Sequence, residues 1–493
     1  MSPANRLPPS LDDLLPHLEH EARVWLVGGA VRDGFLQRAG PDLDFAAAHG
    51  ALALARRAAD RLGGAYYPLD RARGTGRVVL LDPDGGRRTL DFADLRGPDI
   101  EADLRARDFT VNALAIPLDQ PERLIDPTGG VQDLRARRLR ACAPDSVQRD
   151  PVRALRAIRL AAELDLHLEP ETIAQVRAGA PRLADVAAER VRDELFRALE
   201  LPRAAGALRA MERLGVLQAV FPEAVASRGQ GPAGWDLALG TVEGLGVLLA
   251  ALGAEHDREA AGNQALALAG LRLGRFRGAL SAALAIPPGE GRPRRALLAL
   301  IALLQELGGA GPVPASQAEQ AAGAADGASD ASRVAARAQA LRLSGVEIGR
   351  VRLAVQHRNR PATLEEPGAL DARAVYRFFR DLGPAALEVI LLSLARLLAA
   401  HPGPVPQAAW EARLGVARRL LEAKFEGPPE ALDPPRLVPG DELAEAVGVP
   451  AGPALGRLLE AIREAQAAGE VTDRAGAITR ARAILARGDV APG

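Results

Sequence analysis

Apolar residues in the first part of the chain fall in short runs: VWLV at Val24 to Val27, LDF ending at Phe45, RVVLL ending at Leu81 and TLDF ending at Phe92. Runs of this length, rich in branched residues and separated by turns, predict strands. Between them Ala51 to Leu62 repeats its apolar positions at helical spacing. The DPDGG between Leu81 and Arg87 is a hairpin signal. Beyond Ala141 the pattern changes to helical periodicity almost throughout, and strands nearly vanish. The chain therefore reads as a mixed head followed by a long helical body. Two stretches interrupt that body. Residues 308–332, GGAGPVPASQAEQAAGAADGASDAS, have little bulky apolar content and read as a flexible insertion, and GPPEALDPPRLVPG at 427–440 marks another break.

At 493 residues the chain exceeds what one hydrophobic core can organise. Its 48% hydrophobic and 25% charged residues are those of a globular protein, whereas 3% aromatic residues is low. Lys424 is the only lysine, and the formal charge is −1, so abundant arginine does not by itself point to nucleic acid. The charge is unevenly placed, however. Arg135, Arg137, Arg138, Arg140, Arg149, Arg153, Arg156 and Arg159 face only Asp145 and Asp150 across the same stretch. Such a block either attracts a polyanion or forms a solvated helical face. The single cysteine, Cys142, has no partner for an internal disulfide. The start, MSPANRLPPSLDDLL, lacks a basic segment followed by an apolar run, and the longest uninterrupted apolar stretch, Ala296 to Leu304, is too short to span a bilayer. The expectation is a cytoplasmic protein without a membrane partner.

Chemistry concentrates in VGGAVRDGFLQRAGPDLDF, Val27 to Phe45. In a strand, Asp42 and Asp44 point to one face and would repel unless a cation joins them. Hard oxygen ligands suit Mg²⁺, which completes its shell with phosphate oxygens. Gly28 and Gly29, before a helix starting near Ala30, offer backbone amides and a positive helix end to a phosphate. Alone, a D-x-D in a turn is equally ordinary loop chemistry.

The combination resembles the signature of the polymerase-beta-like nucleotidyltransferase superfamily, particularly class II tRNA nucleotidyltransferases and bacterial poly(A) polymerases. RDFTVNALA (Arg107 to Ala115), DPTGGVQDL (Asp126 to Leu134), RDPVRALRAIRLAAEL (Arg149 to Leu164) and ERVRDELFRAL (Glu189 to Leu199) follow in that family's order. YRFFRDLGPAALEVILL near Tyr376 and GPALGRLLEAIREAQAAGEV, Gly452 to Val471, are similar to the body and tail of the same bacterial proteins. The resemblance implies an α+β fold: a polymerase-beta-like nucleotidyltransferase head with a mixed sheet and helices, then an all-α neck, body and tail. The boundaries it suggests are 1–140 for the catalytic head, 141–200 for a base-recognising neck, 201–400 for a degenerate HD-like body and 401–493 for an RNA-binding tail.

The activity implied is attack of a tRNA 3′-hydroxyl on the α-phosphorus of CTP or ATP at a two-metal Mg²⁺ site, building or repairing the terminal CCA. Asp42 and Asp44 are then the metal ligands, and a third carboxylate is expected from Asp91, or else Asp94. Arg32 either contacts triphosphate or pairs with Asp33. Arg107 and Asp108 resemble residues that hold sugar and phosphates, Asn112 caps or positions backbone, and Arg156 and Arg159 meet triphosphate or RNA backbone. Glu189, Arg190 and Glu194 brace the base-reading helix or form internal salt bridges.

Asp150 and Arg153, three apart on a helix, are expected to read the base. Cytosine and adenine each offer an exocyclic amine beside a ring-nitrogen acceptor, whereas uracil and guanine set a carbonyl against the carboxylate. Asp150 before Pro151 is alternatively an N-cap. The sequence departs from the family at Ala106, where a basic residue is common, and at Arg149, where Glu is usual. In the body, Gln305 and Glu306 stand where an HD-type domain would hold metal, and His256-Asp257 has no evident partners. In this family the switch from C to A addition is associated with a flexible segment before the second motif. Here only FADLRGPDIEA, Phe92 to Ala102, fills that place. Its polar Arg96, Asp99 and Glu101 and a hinge at Gly97 lead to an expectation of full CCA addition. Partial CC or A addition, poly(A) synthesis and a non-catalytic RNA-binding role are the alternatives.

Overall fold

Asp42 and Asp44 alternate with buried Leu43 and Phe45 along one strand, and this alternation sets the two faces of the head. The computed structural model describes Leu14, Leu18 and residues 23–38, 40, 42–82, 86–222, 233–253, 263–287, 292–306, 324–401 and 403–488. They form two compact units, one of residues up to 194 with 210–220, the other of 195–209 with 221 onward.

The first unit opens with β1 (Val24–Val27), α1 (Gly29–Phe35), β2 (Asp42–Ala47), α2 (Ala51–Leu62), β3 (Ala65–Asp70), β4 (Thr75–Leu81) and β5 (Arg87–Asp94). It continues through α3 (Ile100–Arg105), β6 (Ala115–Pro117), α4 (Gly130–Arg135), β7 (Arg138–Leu139), α5 (Ser146–Arg149), α6 (Arg153–Leu164) and β8 (His167–Leu168). Then come α7 (Pro170–Gly179) and the start of α8 (Ala188–Leu199), whose residues from Leu195 belong to the second unit. The four β-prone runs become β1, β2, β4 and β5, and α2 has the bounds its periodicity predicts. The tip of the expected hairpin, 83–85, lies outside the described residues, but β4 and β5 pair antiparallel on either side of it. The short strand β8, paired in parallel with β7, carries too little pattern to foresee.

Six strands form one sheet in the order β3-β4-β5-β2-β1-β6, in which only β2 and β5 run parallel among the described strands. On one face Phe45 and Phe92 stack with ring centroids 4.8 Å apart, and α2 packs over β4 and β5. Burial of these rings contributes on the order of 1.5–3 kcal/mol each. The opposite face carries Asp42, Asp44 and Asp91 in its middle. Further along it, Val27, Ala46 and Ala115 cluster with Ile100 and Leu104 of α3, which covers that end. The carboxylates are thus left on the part of the sheet that no helix among the described residues buries.

The second unit is helical. Helix 294–304 is buried along nearly its whole length, so the apolar run Ala296 to Leu304 is core. Residues 234–251 and 372–399 are long and apolar enough to cross a bilayer by length and composition alone. The helices 233–251 and 386–399 pack against each other and against 294–304. Glu388, fully buried, takes hydrogen bonds from Arg294 at 2.9 Å and Arg350 at 2.9 Å. Glu306 pairs with Arg396 at 2.6 Å. Helices 440–447, 453–467 and 474–486 enclose a small core of their own, including Leu443, Leu458 and Ile462. Of the expected insertion 308–332, residues up to 323 lie outside the described residues, and from Ala324 the chain is helical. His256 and Asp257 also lie outside them.

Candidate active site

A cavity of about 890 Å³ opens over the uncovered face of the sheet. Asp44 and Asp91 line it from β2 and β5, Arg107 and Asp108 from the loop after α3, Asp150 from the α5–α6 turn, and Arg153 and Arg156 from the start of α6. Four separate segments of the chain therefore meet around one space. Asp42 starts β2 on the same exposed face of the strand as Asp44.

Parallel pairing sets Asp44 beside Asp91. The Asp44 carboxyl is accessible at the floor of the cavity yet crowded by protein. That loss of water pushes its pKa up, Asp91 and Asp42 repel its charge further, and Arg107 and Arg77 oppose the rise. A carboxylate whose charge is disfavoured in this way is relieved by a cation, so the all-oxygen donor set fits a hard divalent ion. Among the described residues no three carboxylate, imidazole or thiol groups close on one point. Asp91 is instead gripped by Arg77, and Asp94 accepts from the Ala51 N–H at 2.9 Å, which ties it to the start of α2.

Of the two amides expected to cradle a phosphate, that of Gly28 is committed within the fold. The Gly28 N–H donates to the Leu114 carbonyl at 3.1 Å, which stitches β1 to the second motif. With φ of +76°, Gly28 occupies a conformation that side chains rarely adopt, and a Cβ there would come within 2.9 Å of Arg107 Nη1. Gly28 thus lets the Arg107 guanidinium reach the cavity. Arg107 is steadied from the other side by Asp103, to which it donates from Nε and Nη2 at 3.3 Å.

Arg32 takes the structural of its two expected roles. It is buried, donates to both oxygens of Asp33 at 2.8 and 3.0 Å, and donates to Asn112 Oδ1 at 2.6 Å. Asn112 in turn donates to Asp108 Oδ1 at 3.2 Å, and Arg156 donates to Asp108 Oδ2 at 3.1 Å. Arg156 and Arg159 share the two oxygens of buried Glu194 at 2.8 and 2.9 Å. Burial works to raise the Asp108 and Glu194 carboxyls. Arg156 at Asp108, and Arg156 with Arg159 at Glu194, outweigh it and hold both below their ordinary range. Arg159 is buried between Glu194 and Glu163 and does not line the cavity, which corrects the expectation that it meets a phosphate. Glu194 forms internal salt bridges with Arg156 and Arg159 of α6.

Asp150 lies on a turn rather than on a helix. It directly follows α5 as its extended C-cap residue, α6 begins at Arg153, and the N-cap of α6 is Val152 without a side-chain cap bond, which removes the capping role. Its Oδ2 accepts from Arg190 of α8 at 2.7 Å. Arg153 lies 4.0 Å from the same carboxylate and donates to Ser146 Oγ at 2.7 Å and to the Arg107 carbonyl at 3.3 Å. Arg153 thus ties the base-reading turn to the second motif. Sequence reasoning missed Arg73 and Asp103, which line the cavity, and Arg77, which grips the lining residue Asp91. Arg77 alone had an available signal, since it sits two strand positions from Thr75 on the face shared with Asp91.

Two family models match the chain: the poly A polymerase head domain over residues 24–140, and the probable RNA and SrmB-binding site of polymerase A over 165–227. A CC-adding tRNA nucleotidyltransferase of Geobacter sulfurreducens is 35% identical across 92% of this chain and 90% of its own length. An A-adding tRNA nucleotidyltransferase of Deinococcus radiodurans is 35% identical across 94% of each chain. The structure of a Thermotoga maritima CCA-adding enzyme complexed with tRNA superposes with a TM-score of 0.57 at 21% identity, covering 98% of this chain and 97% of that one. At that identity the superposition speaks for the fold.

Proposed function

The chain belongs to the class II tRNA nucleotidyltransferase family, and from that membership we propose that it extends tRNA without a template, building or repairing the 3′-terminal CCA from CTP and ATP in the cytoplasm. The observation that carries this reading is the convergence of Asp44, Asp91, Arg107, Asp108, Asp150 and Arg153 on one cavity.

Asp42 and Asp44 are the residues that would hold Mg²⁺. When bound, the metal supplies charge for the triphosphate and sharpens the attacking hydroxyl. The remaining roles belong to the chain itself. Arg107, admitted past Gly28, presents its guanidinium to phosphate oxygens. Asp108, fixed by Asn112 and Arg156, gives Arg107 a rigid neighbour. Asp150 accepts the exocyclic amine of cytosine or adenine, with Arg153 holding the turn on which it sits. Uracil and guanine would set a carbonyl against that carboxylate, which disfavours both.

How far addition proceeds turns on the segment before the second motif. Full addition rests on a mobile Phe92 to Ala102. In the structure β5 runs to Asp94 and α3 starts at Ile100, Asp99 caps that helix by accepting from the Ala102 N–H at 2.8 Å, and Glu101 pairs with Arg105 at 2.8 Å. These polar residues are committed to the helix, and this favours a second reading, addition of the two C residues alone. Incubation of tRNA ending at the discriminator base with labelled CTP and ATP distinguishes the readings. Three added nucleotides support the full enzyme, two C residues the partial one, and extension only of tRNA already ending in CC would make it A-adding. Absence of any addition to tRNA would sink the proposal.

A further inference from the structure

The sheet face that carries Asp42 and Asp44 also carries a guanidinium. Antiparallel register sets Arg77 of β4 opposite Asp91 of β5, as parallel register sets Asp91 opposite Asp44 of β2. Arg77 donates from Nε to one Asp91 oxygen at 2.8 Å and from Nη2 to the other at 2.7 Å. Both oxygens are thus engaged by one planar fork, the strongest geometry an arginine and a carboxylate can adopt. The side chains are 37% and 25% exposed, and Asp91 lines the same cavity as Asp44.

A cross-strand ion pair on a solvated face is ordinary sheet chemistry. This one differs in its neighbours, since the next strand carries two further carboxylates on the same face, Asp44 lining the cavity and Asp42 at the start of the strand. While the fork holds, Asp91 has neither oxygen left to offer a divalent ion on equal terms. We propose that Arg77 is a positioning residue that occupies Asp91 as an internal counter-ion, so that a divalent cation is taken first by Asp42 and Asp44 and gains Asp91 only when Arg77 lets go. The inference rests on the reading of Asp42 and Asp44 as the metal seat. Its consequence is an order of assembly in which the third carboxylate joins last.

The test is a Mn²⁺ titration of the full chain without RNA, read as loss of the free-ion electron paramagnetic resonance signal, on variants whose circular dichroism matches the native protein. Arg77→Gln should tighten Mn²⁺ binding about three- to tenfold. Arg77→Lys keeps the charge without the fork and should tighten it less. In an Asp91→Asn background, Arg77→Gln should have no further effect, because the effect acts through Asp91. Unchanged affinity in Arg77→Gln overturns the proposal, and so does equal tightening in the Asp91→Asn background, which would reveal a field effect alone. If Arg77→Gln does not fold, Arg77→Lys decides, and no tightening there overturns it. Mn²⁺ binding that survives Asp44→Asn would instead sink the metal-seat reading, a separate failure.

Discussion

Arg190 donates to Asp150 at 2.7 Å across a sequence separation of 40 residues. The bond takes one oxygen of the carboxylate proposed to read the base and holds its orientation. Exchange of Asp150 for Asn replaces an acceptor with an amide that can donate to a base carbonyl. Asp150→Asn should therefore raise incorporation of UTP relative to CTP, with a shift in the kcat/KM ratio equivalent to about 1–3 kcal/mol. Steady-state kinetics with each triphosphate measures this, and a uniform loss for all four would contradict base reading by Asp150.

Asp42→Asn and Asp44→Asn should each abolish nucleotide addition and leave melting temperature and tRNA binding close to those of the native protein. Both side chains are exposed on an otherwise well-packed strand, so the fold does not depend on them. Primer extension beside a filter-binding assay separates the two effects. Near-native turnover in either variant would refute the metal seat.

Gly28→Ala should destabilise the first unit by about 1–3 kcal/mol, because a left-handed φ is strained for alanine. It should also lower kcat more than a stability loss explains, since the new Cβ displaces Arg107 from 2.9 Å away. Comparing chemical denaturation with turnover well below the melting point tests both parts. Native kcat in a destabilised variant would remove Arg107 from the site.

The depressed carboxyls of Asp108 and Glu194 set an acid limit. A group titrating lower when folded than when unfolded contributes its stabilisation fully above the unfolded value and loses it as pH falls through the folded one. Stability should accordingly decline below about pH 4. Glu194→Gln leaves Arg156 and Arg159 without their shared carboxylate and should cost about 3–5 kcal/mol at neutral pH, with a shallower acid decline. Thermal melts from neutral to acid pH provide the measurement, and an acid slope as steep as the native one would show that other groups set the limit.

Local pattern alone determined a good part of this protein. Alternation placed Asp42 and Asp44 on one face of β2, helical spacing bounded α2 at Ala51 and Leu62, and the ordered motifs announced the family. These features depend on the direction of neighbouring side chains, which a strand or helix sets within a few residues. Tertiary structure alone decided the partners. Arg32 was free in sequence to meet either Asp33 or a phosphate, and the approach of Asn112, 80 positions away, completed its structural role. Asp91 stands beside the metal seat but in the grip of Arg77 because strand register brings the two together. Asp150 lost its capping role because α6 starts three residues later, at Arg153. The physical reason is common to all three. Periodicity specifies which way a side chain points, whereas an ion pair depends on which distant segment the packed chain sets within hydrogen-bond reach.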